Sequence, residues 1–234
     1  MSLYSGTAAH GRLIAFALVL LAATGPARAA AAVCSSDGKA PPAVLVERFL
    51  PDDCTACWRR TPPAPDRAAF SVDWIVPGDH PDAPMAAAAR PEAAQRLATL
   101  GYTSDTAAPQ FWKWRHAVVG AHTGRLRVAH GPAVNDYVGV SIEWTPGAAG
   151  ARPLDAWLLL VEELPAGTEG SPVVRRLVRG ALAVEGIAAG PRGWAERRSM
   201  HLPDGTDPSR LRLIGWVADQ RGRVMAAAAD ECSR

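Results

Sequence analysis

Cys54 and Cys57 are the residues of this 234-residue chain whose types and spacing best suit chemistry. A Cys54-Thr55-Ala56-Cys57 run places a second thiol one helical turn from the first. If the chain enters a helix at Cys54, the unpaired N–H groups and the dipole of the first turn favour the Cys54 thiolate. Cys57 would then be shielded and would resolve a mixed disulfide. Three uses fit the pair: thiol–disulfide exchange, a permanent disulfide, or metal ligation. The last needs further ligands, and His80, His116, His122, His130 and His201 show no HxH or HxxxH spacing. Asp52 and Asp53 put negative charge beside the nucleophile, which opposes its ionisation, and Arg59 and Arg60 partly offset them. Pro62, Pro63 and Pro65 predict a helix cut after about one to two turns, with a correspondingly weak dipole.

The remaining cysteines, Cys34 and Cys232, stand near the two ends of the chain, and a bond between them would tie the ends together. The compartment favours pairing. Residues 1–12 carry Arg12 and no acid, residues 13–23 (LIAFALVLLAA) are apolar throughout, and Gly25-Pro26 precedes Ala27-Arg28-Ala29. That order predicts a secretory signal peptide over residues 1–29. The apolar run is too short for a hydrocarbon core that needs about 20 residues. Val33 before Cys34 suits a lipid-modified cysteine poorly. The expectation is a periplasmic or secreted protein with no membrane anchor in its mature part, in surroundings where cysteines become oxidised.

Removing Arg12 and Arg28 from 25 basic residues leaves 23, equal to the 23 acidic ones. A neutral chain with no basic block argues against nucleic acid or anionic lipid as the main partner. The chain holds no GxSxG, GxGxxG or P-loop, so no cofactor is expected.

These side chains need elements to position them. Residues 43–50 (AVLVERFL) read as a largely buried strand that delivers the CxxC, and residues 70–76 (FSVDWIV) as a second. Pro91-Glu92 opens a helix with Ala93, Leu97 and Leu100 on one face, stopped by Gly101. Residues 107–114 place Pro109 before an aromatic strand in which Trp112 and Trp114 share a face, as core or as a grip on a peptide. Residues 137–144, 156–161, 173–178 and 199–202 are further strands, and residues 211–218 and 223–228 form a hairpin. The expected architecture is α+β: an α/β module over residues 30–134 and an antiparallel, sandwich-like β module over residues 135–234.

Three features in order, VERF…CTAC, FSVDW…PGDHPD and TAAPQF, resemble a family of bacterial secreted thioredoxin-like proteins of uncharacterised function. The resemblance implies a thioredoxin-like fold for residues 30–134. It implies that Pro109, as a cis-proline opposite the cysteines, and Gln110 beside it receive an extended substrate. It also places Trp74 and Asp73 on the substrate side, Asp73 either moving protons for the thiols or capping a turn. Ser71 replaces the family's usual histidine, Ala108 replaces a threonine, and a Gly-Glu-Asn-rich stretch shrinks to residues 167–170. The activity implied is exchange with thiols or disulfides of exported proteins through Cys54 and Cys57, with an unknown redox partner. The competing expectation is a non-catalytic binding or scaffold protein in which the CxxC is a structural disulfide.

Overall fold

A computed structural model describes residues 33–62, 69–102, 112–120, 124–147, 153–188 and 190–232. The strands are β1 (Cys34–Ser35), β2 (Val44–Pro51), β3 (Ala69–Val76), β4 (Trp112–Ala117), β5 (Gly124–Val134), β6 (Tyr137–Pro146) and β7 (Leu154–Leu164). They continue with β8 (Arg175–Ile187), β9 (Trp194–His201), β10 (Leu211–Asp219), β11 (Val224–Ala229) and β12 (Glu231–Cys232). The α-helices are α1 (Thr55–Arg59) and α2 (Pro91–Thr99). Strands β12-β1-β5-β6-β9 make one sheet and β11-β10-β7-β8-β3-β2-β4 a second.

The first core follows from alternation. Along β6, Val138, Val140, Ile142 and Trp144 point to one face and are buried with Leu126 and Val128 of β5. They pack against Leu158 and Leu160 of β7 and Leu213 of β10, which gives a sheet-on-sheet layer. The other face of β7 and β10 is buried as well: Trp157, Leu159, Val161, Ile214 and Trp216 join Leu45, Phe49, Val72 and Trp74 beneath Ala93 and Leu97 of α2. Burial on both faces explains why residues 156–161 read as an unbroken apolar run.

A charged group sits inside this second core. Glu47 of β2 is fully buried and accepts from Arg96 of α2 (Nη2 to Oε2, 2.6 Å), with the His116 ring at 3.0 Å and the Trp74 indole at 3.3 Å. The Arg96 guanidinium lies 5.2 Å from the ring centres of Trp157 and of Trp216. Burial pushes the Glu47 carboxyl up, but Arg96 and His116 outweigh it and hold the group below its ordinary value. This pairing, and not apolar contact alone, pins α2 to the sheet.

The expected thioredoxin-like α/β domain is overturned. The described residues form two sheets with two α-helices of five and nine residues. β2, β3 and β4 extend the sheet of β7, β8, β10 and β11, joined through the parallel pair Asp73↔Leu177. The physical reason lies in the helices: α1 ends at Arg59, just before the prolines, so the only described α-helix laid along the sheet is α2. Ala31–Arg234 is one compact unit. The division between residues 134 and 135 falls in the β5–β6 turn, and each sheet takes strands from both sides of it. In that turn Asn135 and Asp136 have φ of 48° and 59°, the left-handed pair of a type I′ hairpin.

Candidate functional site

The CxxC lies where β2 leaves the sheet. Asp52 is buried there and turned back into the fold: its Oδ2 accepts the Gly78 N–H at 2.9 Å and its carbonyl accepts the Met85 N–H at 2.9 Å. A Cβ at Gly78 would lie 2.8 Å from Asp52 Oδ1, so only glycine allows this approach. Cys54 then caps α1, its Sγ 3.2 Å from the Cys57 N–H and its carbonyl accepting from the Cys57 and Trp58 N–H groups at 3.0 and 3.2 Å. Cys54 and Cys57 are joined as a disulfide. The two sulfurs are not equivalent: Cys54 is half-buried, whereas Cys57 is 7 % exposed and packs with Leu50, Trp58, Ile75 and Leu177. Cys54 is the sulfur nearer to solvent, and Cys57 lies behind it.

The end of α1 is clamped by Arg175 of β8, which is 1 % exposed. Its Nη2 donates to the carbonyls of Trp58 (2.6 Å) and Arg60 (2.8 Å), two acceptors left open where a helix stops. Its Nε donates to Ser171 Oγ at 3.0 Å, its Nη1 to Asp73 Oδ1 at 3.1 Å, and its guanidinium lies 4.9 Å from the Trp58 ring centre. Asp73 Oδ2 also accepts from Arg48 Nη2 at 2.6 Å and the Arg176 N–H at 3.3 Å. Two guanidiniums thus share one carboxylate beneath the Cys54–Cys57 disulfide. Burial draws the Arg175 guanidinium below its ordinary range, Asp73 counters that, and Arg48 adds to it.

A cavity of about 420 Å³ opens beside α1, with Trp58, Ile75, Met85 and Leu177 as its apolar lining and Thr55 and Arg179 at its polar parts. Glu169 and Gly170 form one of its walls, and the Trp58 indole donates to the Glu169 carbonyl at 2.8 Å. Glu169 holds a left-handed backbone (φ 50°). Arg179 is tied to buried Glu162 at 2.7 Å and to Glu169 at 3.4 Å.

The residues expected at the site are only partly brought together. Cys54, Cys57 and Asp73 gather on one face of β2 and β3, but Asp73 is fully buried, with both oxygens taken by the donors named above. Trp74 is fully buried on the opposite face, stacked 5.8 Å from Phe49, and presents nothing to a substrate. Pro109 and Gln110 lie outside the described residues. Trp114 is partly exposed and edge-on to Tyr102 at 4.7 Å. Cys34 and Cys232 are bonded to each other, as their positions suggest. The sequence reading missed Arg175, Arg179 and the Glu169 carbonyl. A signal for Arg175 existed, since it stands inside the run at residues 173–178 read as a strand, beside apolar neighbours.

No family model matches this chain, and no curated protein matches it either. Among solved structures, HBP35 of Porphyromonas gingivalis is 12% identical over 82% of this chain and 75% of that one, with a TM-score of 0.46. An endonuclease/exonuclease/phosphatase from Beutenbergia cavernae is 15% identical over 56% of this chain and 32% of that one, with a TM-score of 0.27. At these scores neither likeness carries an argument about fold or activity.

Proposed function

We propose that this protein is exported and exchanges thiols and disulfides with other exported proteins through Cys54 and Cys57. The observation that supports this reading is the inequality of the pair, a half-exposed Cys54 capping a helix and a buried Cys57, beside a cavity lined by Trp58 and Ile75. Export rests on the pattern of residues 1–29, and an oxidising compartment accords with two disulfides. In the reducing direction the Cys54 thiolate attacks a client disulfide, a Cys54–client bond forms, and the displaced client sulfur takes up a proton. The Cys57 thiolate then attacks Cys54, the second client sulfur leaves as a thiol, and the pair ends oxidised by two electrons. The reverse sequence oxidises a client dithiol.

Cys57→Ser separates this reading from others. It should accumulate mixed disulfides with client proteins that collapse on reduction, while Cys54→Ser should accumulate none. The same outcome for both variants overturns the reading. A second reading, a permanent staple, draws support from the Arg175 clamp, which holds α1 whether or not the sulfurs react. The reduction potential divides the two: about −120 to −270 mV belongs to exchange, and below about −300 mV to a staple.

A further inference from the structure

A second cluster of chemically capable side chains lies away from the CxxC, where the two ends of the chain meet. β1 runs between β12 and β5, and the register sets Cys34 opposite both Cys232 and His130. The two sulfurs and a ring nitrogen of His130 lie within 4.8 Å of one another. Asp230 stands outside that group of three but against His130, its Oδ2 3.2 Å from His130 Nε2. His130 is 5 % exposed and Asp230 is fully buried.

The polar atoms here are unevenly satisfied. His130 Nδ1 lies 2.8 Å from the Gly131 carbonyl, which accepts only, so Nδ1 carries a proton and Nε2 is the ring atom turned to Asp230. Asp230 Oδ1 is used by the Leu213 N–H at 2.8 Å and by Arg212 Nε at 3.4 Å. His130 Nε2 and Asp230 Oδ2 have no hydrogen-bond partner of acceptable angle, although both are buried. Two lone-pair atoms 3.2 Å apart in a low-dielectric interior need a proton or a metal cation between them. A ring fixed by Nδ1–H to a carbonyl, with Nε2 free, is also how proteins orient a metal-ligating histidine.

We propose that reduction of the Cys34–Cys232 bond converts this cluster into a tetrahedral zinc site, with Cys34 Sγ, Cys232 Sγ, His130 Nε2 and Asp230 Oδ2 as ligands. A small-molecule or protein dithiol supplies two electrons and two protons to the disulfide and is itself oxidised to a disulfide. Zn²⁺ then displaces the two thiol protons, and the sulfurs separate to ligate at about 2.3 Å each. Two thiolates and a carboxylate outweigh the ion by one negative charge, and Arg212, which donates to Asp230, balances it. The junction of the chain ends is thus closed in either redox state, by a covalent bond or by a metal. This inference does not depend on the activity of Cys54 and Cys57.

The test uses the mature chain with Cys54→Ser and Cys57→Ser, so that the remaining thiols are Cys34 and Cys232. After reduction with a phosphine and its removal, titration with Co²⁺ should give one equivalent of binding with thiolate charge-transfer bands and tetrahedral d–d bands, displaced by Zn²⁺. The oxidised protein should give neither. His130→Ala and Asp230→Asn should each weaken binding at least about tenfold. Circular dichroism before and after reduction follows the fold. Failure to bind one equivalent overturns the proposal, whether the reduced chain stays folded or not. So does binding through thiols alone, in which His130→Ala leaves the affinity unchanged.

Discussion

Replacing Cys34 and Cys232 by alanine should destabilise the protein far more than replacing Cys54 and Cys57. The terminal bond closes a loop of 198 residues in sequence, the inner bond one of 3. The chain-entropy relation for cross-links gives roughly 18 cal/mol/K for the long loop and roughly 5 for the short one, or about 5 and about 2 kcal/mol at 25 °C. The native side adds to the first figure, because β1 and β12 are two-residue strands held at Cys34↔Cys232 and would fray. Against a typical total of about 5–15 kcal/mol, the terminal loss removes a third or more. Urea unfolding followed by the fluorescence of the buried Trp74, Trp157 and Trp216 measures it directly. The midpoint should fall and the slope m should rise, since an uncrosslinked unfolded chain exposes more surface. Equal costs for the two pairs, or a terminal cost below about 2 kcal/mol, would refute the argument that loop length dominates.

Arg175→Met leaves the Trp58 and Arg60 carbonyls without a donor and Asp73 with one guanidinium fewer, at a cost of about 3–5 kcal/mol seen as a lower melting temperature. The same variant should reduce faster at Cys54–Cys57, checked by stopped-flow with a dithiol, because α1 loses its anchor. Gly215→Ala inserts a methyl 2.8 Å from Val128 Cγ1 and 3.0 Å from Ile142 Cδ1, and overpacking between the sheets should cost about 1–3 kcal/mol in the same assay. Glu47 is held below its ordinary value of 4.5 by Arg96 and His116 despite burial, so the stability it confers is present above that pH and lost as pH falls through the lowered folded value. The gap in unfolding free energy between the parent and Glu47→Gln should therefore shrink on acidification below pH 4.5, and a constant gap would refute this linkage.

Local elements were legible because they depend on neighbours in sequence. The run at residues 43–50 had to be a strand, and Pro91 with Ala93 and Leu97 had to be a helix start with one buried face. The order Cys54 outward, Cys57 inward was legible for the same reason. β5 was not, because Gly131-Pro132 looks like a loop; the fold absorbs both in a register shift against β6 between His130 and Ala133. Nor could alternation in residues 70–76 say which face meets the CxxC, so Asp73 fell on the right side and Trp74 on the wrong one. The failure at the level of architecture has one source. A strand leading into CxxC is compatible with several sheets, and the partner that decides, Arg175, lies more than 100 residues further on.

The two disulfides are nested, and this sets a timetable for the chain's birth. On the proposed export route, with the N-terminus leading, Cys34 meets oxidants together with Cys54 and Cys57 before Cys232, its native partner, has emerged. Pairing in order of appearance joins the wrong sulfurs, so the chain must either hold Cys34 reduced until synthesis ends or rearrange afterwards, a step of about minutes to hours without an isomerase. β1 cannot be bracketed on both edges until the last residues arrive. On that route maturation is limited by the final strand, and the yield should track the supply of disulfide isomerase more than the supply of oxidant.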